Sequence, residues 1–218
     1  MTYDKSTDPT TMTVDQLVED TREVTEYLKS RFGQNKIYLL GHSWGSYLGV
    51  KTIEKYPENY LAYIGIGQVS NQKESERLAY QYILSRAKQM NDKDVIEKLE
   101  KYDPYADDFP QLDYLVKGRT AILNKYGIGH LHQGVTSWDI LKSLFVFKGY
   151  TVTEKINWFL GADFSMIHLF PGLLEDDLFL SSVKFEVPFY ITQGAHDYMV
   201  SQVLAEKYAE ACEAPKKE

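Results

Sequence analysis

Gly41-His42-Ser43-Trp44-Gly45 sets a serine two residues from a glycine on either side, directly after the apolar run Ile37-Tyr38-Leu39-Leu40. The spacing is that of a nucleophile elbow: a strand, a sharp turn that exposes a serine, then a helix. Such a turn forces the serine into strained backbone angles and brings its neighbours close to it. Glycines at the flanking positions remove the side chains that would clash. The chemistry would be nucleophilic attack by the Ser43 hydroxyl. The pattern alone arises by chance in roughly one chain of this length in fifteen, so the surrounding elements decide its weight.

Those elements agree with it. Val14, Leu17, Val18, Val24, Tyr27, Leu28 and Phe32 recur at helical spacing ahead of the elbow. Thr13 and Gln16 fit a capping box, Met12 and Leu17 a hydrophobic staple, and Gly33 a C-terminal cap. Ser46 to Tyr56 predicts a helix whose N-terminus points at Ser43, with Pro57 just beyond its end. Tyr60 to Ile66 then predicts a buried strand. Helix, strand, elbow, helix and strand follow in the order the motif requires.

The 218 residues suffice for one large domain, or a core with an insertion. A hydrophobic content of 44% and an aromatic content of 14% mark an ordered chain. The net charge is −7 and no basic patch is interleaved with aromatics, which argues against nucleic acid as a partner. One cysteine, Cys212, excludes an internal disulfide and fits a reducing compartment. No apolar stretch reaches membrane-spanning length and the N-terminus is polar, so a cytoplasmic location is expected.

Three regions separate. Residues 1–69 hold the elbow unit and the strand after it. Residues 70–182 predict helices alone: Glu74 to Met90, Asp92 to Lys101, Pro110 to Tyr126, Ser137 to Phe147 and Val152 to Phe159. Residues 183–218 return to an α/β pattern, with a strand over Phe185 to Thr192, a Gly194-Ala195-His196-Asp197 turn and a helix from Ser201 to Cys212. A helical block between two α/β blocks reads as a cap inserted at a loop, where insertions cost little.

On Gly41 to Ser46, on Gly65-Ile66-Gly67-Gln68, on Gln193 to Asp197 and on the closing Ala214-Pro215-Lys216-Lys217, the chain resembles the α/β-hydrolases of the proline iminopeptidase-like branch. The resemblance implies an α/β fold: a partial α/β-hydrolase sheet with an inserted all-helical cap. It implies Ser43 as nucleophile, the Trp44 backbone N–H as an oxyanion-hole donor and Asp197 as the acid that orients the catalytic histidine. A serine at the elbow argues against the branches that use an aspartate nucleophile, epoxide hydrolases and haloalkane dehalogenases. The implied reaction removes an N-terminal residue from a peptide, or cleaves an ester or amide, through an acyl-enzyme, without metal or organic cofactor. An esterase or lipase would use the same machinery with another cap pocket.

Two departures accompany the matches. Family members carry their histidine beyond the last strand, and no histidine of this chain follows Asp197. The family's second oxyanion donor comes from a glycine-rich loop that would precede residue 1. Loss of the base costs on the order of 10⁶ in turnover, and loss of one oxyanion donor roughly 10²–10³. The expectation is a chain nearly inactive alone: a truncated product, a partial sequence, one segment of a split enzyme, or a non-catalytic remnant or binding module. Its Ile37–Leu40 strand would present an apolar open edge prone to self-association.

The remaining candidates have plainer readings. His196 adjoins Asp197 and fits a turn histidine; His42 sits in the elbow and packs below or beside the nucleophile. His130, His132 and His168 lack the cysteines or spacing of a metal site. Gly65-Ile66-Gly67 is no dinucleotide fingerprint, since Ser70 stands where the third glycine belongs. Asp103, Asp107, Asp108 and Asp113 fit a solvated face; these, or Glu175, Asp176 and Asp177, are the cap carboxylates that could meet a substrate amino group. Tyr102, Tyr105, Tyr114, Tyr126, Trp138, Phe145, Phe147, Trp158 and Phe159 are expected in the cap core, some of them over Ser43.

Overall fold

The structure, a computed structural model, describes residue 6, residues 8–126 and residues 137–218. Its sheet has three parallel strands in the order β1 (Ile37–His42), β2 (Tyr60–Ile66) and β3 (Phe189–Thr192). The middle strand buries residues on both faces, as a parallel strand between helices must. Helix α1 (Val14–Phe32) precedes β1, and α2 (Trp44–Lys55) joins β1 to β2.

The start of α1 is half of what its sequence promises. Thr13 accepts from Gln16 N at 3.1 Å, but the Gln16 side chain turns to Asp20 at 2.8 Å instead of closing a capping box. Gly33 ends the helix at φ 61°, a left-handed position that favours glycine.

Between β2 and β3 the described elements are helical. They are α3 (Gln72–Gln89), α4 (Lys93–Leu99), a π-helical turn (Tyr114–Arg119), α5 (Thr120–Lys125), α6 (Ser137–Val146), α7 (Val152–Glu175) and α8 (Leu178–Ser181). Two expectations need correction here. The helix expected over Pro110–Tyr126 runs over residues 112–125, with a π-helical turn inside it that the sequence did not signal. The helix expected to stop at Phe159 continues to Glu175 through Gly161 and Pro171. A Thr151–Glu154 capping box starts it, and Leu169 and Leu173, four residues apart, are both buried. That burial offsets an interior proline's cost of about 3 kcal/mol.

The last region also departs from the pattern. Only Phe189–Thr192 pairs with β2; upstream, Phe185 N donates to Glu213 O at 2.8 Å. Pro188 has no N–H to give, and its carbonyl accepts from Tyr63 N at 2.9 Å. On the far side of β3, Phe189 N and Ile191 N donate to Lys216 O and Glu218 O, both at 2.8 Å. These residues pair in the parallel sense, where the sequence resemblance places the approach to a further strand. Helix α9 (Gln202–Ala211) lies between, with Ser201 as its cap.

Two apolar clusters hold the described residues together. One joins Tyr47, Val50 and Ile53 of α2 to Tyr60 and Tyr63 of β2, Phe189 of β3 and Tyr208 of α9. The other joins Tyr80 and Ile83 of α3 to Leu99, Phe109, Tyr114 and Leu123. Phe170 packs against both. Among the described residues β1 pairs only with β2, and Tyr38 and Leu40 on it are 66% and 58% exposed, an open apolar edge. No helix among the described residues is long and apolar enough to cross a membrane.

Candidate active site

Ser43 sits at the junction of β1 and α2 with φ 53° and ψ −122°. This is a left-handed φ that non-glycine residues rarely take, and it marks stored strain. The surroundings hold it there. Ser43 N donates to Ile66 O at the end of β2 at 2.9 Å, and Ser43 O accepts from Ser46 Oγ at 2.6 Å. A Cβ on Gly41 would stand 2.8 Å from Ser46 Cα and closer still to Gly45 O, so only glycine fits. Gly45 is different: a Cβ there would meet nothing within 4 Å, so the second glycine of the motif is not sterically required.

A buried polar chain runs from beneath the elbow to Asp197. Ser46 Oγ accepts from Val69 N at 2.9 Å. The Tyr63 hydroxyl lies 2.9 Å from Ser46 O and 2.8 Å from Gln68 Oε1, and burial pushes its pKa up. Gln68 N donates to Gln193 Oε1 at 2.8 Å, and Gln193 Nε2 donates to Asp197 Oδ2 at 3.0 Å. Asp197 Oδ1 accepts from Met199 N and Val200 N, both at 2.9 Å. Between them stands Gly67 at φ 60°, where a Cβ would lie 3.7 Å from Asp197 Oδ2 and 3.8 Å from Ser43 N. The structure thus brings Ser43 and Asp197 together around one glycine, each within 4 Å of the space a Cβ there would fill. Trp44 is the first residue of α2, so its N–H has no helical acceptor.

Among the described residues no histidine bonds to Ser43 or Asp197. His42 is exposed instead of packed under the nucleophile, because its side chain leaves β1 on the same uncovered face as Tyr38 and Leu40. His196 is exposed in the turn, and His168 Nδ1 lies 2.7 Å from Phe164 O. His130 and His132 lie outside the described residues. Among the described residues Ser43 Oγ has no hydrogen-bond partner, and no group of acidic, histidine or cysteine side chains is arranged to hold a metal ion.

Ser43 and Trp44 open into a cavity of about 500 Å³, a size usual for small-molecule sites. Its walls come from both α/β regions and from the helices between: Met12, Val69, Met166, Phe170 and Val200. The expected cap aromatics do not line it. Trp138 and Phe145 on α6, Phe147 just past its end, and Trp158 and Phe159 in the first half of α7 are 37–68% exposed. Those segments pack against too little of the described structure to bury them. Tyr114 does lie in the apolar cluster of the helices between β2 and β3, fully buried.

Four of the seven acidic candidates, Asp103, Asp113, Asp176 and Asp177, are engaged elsewhere. Asp113 accepts from the Tyr102 hydroxyl, Asp103 from Tyr105 N and Asp177 from Phe179 N. Asp176 binds Lys51 Nζ at 2.7 Å and accepts from Tyr47 and Ser181 at 2.9 and 2.7 Å. Burial pushes the Asp176 carboxyl up, but Lys51, Ser181 and Tyr47 outweigh it and hold it below the usual range.

One carboxylate beside the cavity went unnoticed in the sequence. Glu76, 1% exposed on α3, accepts from Arg119 Nη1 and from Gln72 Nε2, both at 2.8 Å. Arg119 and Gln72 line the cavity. The signal was available: Gln72 and Glu76 continue the buried stripe of Tyr80, Ile83 and Ala87 on α3, so polar residues fall on a face bound for the interior.

Comparison with known proteins agrees with this fold. The profile of the alpha/beta hydrolase fold family matches residues 3–218. The chain belongs to the α/β-hydrolase family, a family of hydrolases. It is 30% identical over 220 residues to a probable aminopeptidase of Bacillus subtilis (strain 168), an alignment that covers 100% of this chain and 67% of that relative. Its fold matches the crystal structure of a proline iminopeptidase from Mycobacterium smegmatis with a TM-score of 0.56 at 13% identity, over 98% of this chain and 64% of that one. It also matches a proline iminopeptidase-related protein from Thermus thermophilus, with a TM-score of 0.52 at 16% identity, over 99% and 65%.

Proposed function

We propose that this chain carries the nucleophile, the acid and one oxyanion donor of a serine hydrolase that removes N-terminal residues from peptides. Ser43 attacks the scissile carbonyl, the Trp44 N–H donates to the developing oxyanion, and Asp197 stands ready to hold an imidazole. The described helices between β2 and β3 act as the cap that closes the cavity above Ser43. The observation that carries the reading is the backbone of Ser43: a strained serine at a strand–helix junction, beside a carboxylate fixed by three hydrogen bonds. No described histidine reaches Ser43, so the polypeptide alone turns over at a small fraction of a complete enzyme's rate.

The substrate class is tested by rate enhancement over spontaneous hydrolysis for aminoacyl-naphthylamides and nitrophenyl esters. A serine site without its base retains about 10³–10⁴-fold over water through binding and oxyanion stabilisation, so the comparison is measurable. Larger enhancement for the naphthylamides supports the aminopeptidase reading. Enhancement confined to the esters contradicts it and supports an esterase.

A further inference from the structure

Three polar atoms at and behind Arg119, a residue that lines the cavity, are buried without a hydrogen-bond partner among the described residues: Arg119 Nε, Glu76 Oε2 and the Tyr114 hydroxyl. Buried polar groups are nearly always paired, and a native exception calls for a cause. Glu76 is 1% exposed, Tyr114 fully buried and Arg119 7% exposed. Arg119 and Tyr114 belong to the π-helical turn, a rare geometry that occurs often at functional sites.

Arg119 is the single charged residue that lines the cavity among the described residues. Its charge is already matched, since Nη1 lies 2.8 Å from Glu76 Oε1. The wall is therefore electrically neutral; Arg119 Nε is sealed inside it, and the donor left facing a ligand is Nη2, which has no hydrogen-bond partner among the described residues. An unused acceptor lies on Gln72, which lines the same cavity and shares the Glu76 Oε1 partner. Gln72 donates through Nε2 to Glu76 Oε1 at 2.8 Å and to Met199 O at 3.2 Å, and its Oε1 has no partner among the described residues.

We propose that this wall, Arg119 with Gln72, recognises an uncharged amide of the substrate. The amide carbonyl accepts from Arg119 and the amide N–H donates to Gln72 Oε1. A free carboxylate would meet the buried Glu76 charge as well as Arg119, and a hydrocarbon would leave both polar groups unpaired, at a cost. An amide satisfies donor and acceptor together. The inference rests on the Ser43 cavity being the substrate site, and it makes Arg119 and Gln72 specificity-determining residues.

The test is binding, so it stands or falls apart from turnover and from the reactivity of Ser43. Three probes with a common body are titrated by ligand-observed NMR: 4-phenylbutanamide, 4-phenylbutanoate and pentylbenzene. The wild-type chain is expected to bind the amide more tightly than the carboxylate. Arg119→Met alone would strand Glu76, so the charges are removed together in Glu76→Gln/Arg119→Met. In that variant the ratio of amide to hydrocarbon affinity falls about tenfold or more, the worth of a hydrogen bond to a charged group. Gln72→Leu keeps the Arg119–Glu76 pair and lowers the same ratio, which preserves the test if the double variant does not fold. Tighter binding of the carboxylate than of the amide overturns the proposal, as does a ratio unchanged by either variant.

Discussion

The Ser43 N–H donates to the Ile66 carbonyl at 2.9 Å, which pins the strained serine to the end of the neighbouring strand. The bond crosses from β1 to β2, so the position of Ser43 depends on the register of the sheet as well as on its own turn. Beside it α2 begins, and Gly41 supplies the room for α2 to start so close to the strand.

Gly41→Ala tests that room. The new methyl group would press on Gly45 O and Ser46 Cα, both backbone atoms that cannot swing aside. The expected loss is about 2–4 kcal/mol in chemical denaturation, typical of overpacking at a rigid site. Gly45→Ala meets open space and is expected to stay within about 1 kcal/mol of wild type.

Gln193 tests the chain that fixes Asp197. Gln193→Leu removes the donor to Asp197 Oδ2, the donor to Val200 O and the acceptor for Gln68 N. A loss of about 1–3 kcal/mol is expected. Hydrogen exchange should quicken at Met199 and Val200, whose amides bond Asp197 Oδ1.

The Glu76–Arg119 pair calls for a double-mutant cycle. Glu76→Gln or Arg119→Met alone leaves its partner's buried charge unmatched and should cost about 3–5 kcal/mol. The double variant should recover most of that loss, since two neutral side chains carry no buried charge. Additive losses in urea denaturation would contradict a coupled pair.

Asp176 gives the acid response a sign. Its folded pKa lies below the usual carboxylate value, so its contribution is complete above about pH 4 and fades as the pH falls through the folded value. Asp176→Asn should lose about 1 kcal/mol at pH 7. The gap to wild type should close below about pH 4, as read from denaturation midpoints across pH.

Much of this was legible in the sequence because local rules dictate it. The elbow spacing, the Thr13 cap and the left-handed Gly33 are set by residues within a few positions of one another. The Ser43–Asp197 juxtaposition was reached only through resemblance, since the chain between them is long and a tertiary pairing sets their approach. Gln68 and Gln193 stood in the recognised motifs without a physical role until their hydrogen bond joined β2 to the Asp197 turn. The course of α7 was missed because Pro171 and Gly161 signal breaks, whereas burial of Leu169 and Leu173 carries the helix through. Glu76 was passed over because a charged residue reads as surface until its partner, 43 positions away, is known.

Reaction of the purified chain with a fluorophosphonate, followed by intact mass and peptide mapping, bears most directly on the claim that Ser43 is a positioned nucleophile without its base. The account predicts labelling at Ser43 alone, abolished in Ser43→Ala, and slower than in complete serine hydrolases by several orders of magnitude. Stoichiometric labelling at ordinary serine-hydrolase rates, or modification of another residue in place of Ser43, would contradict it.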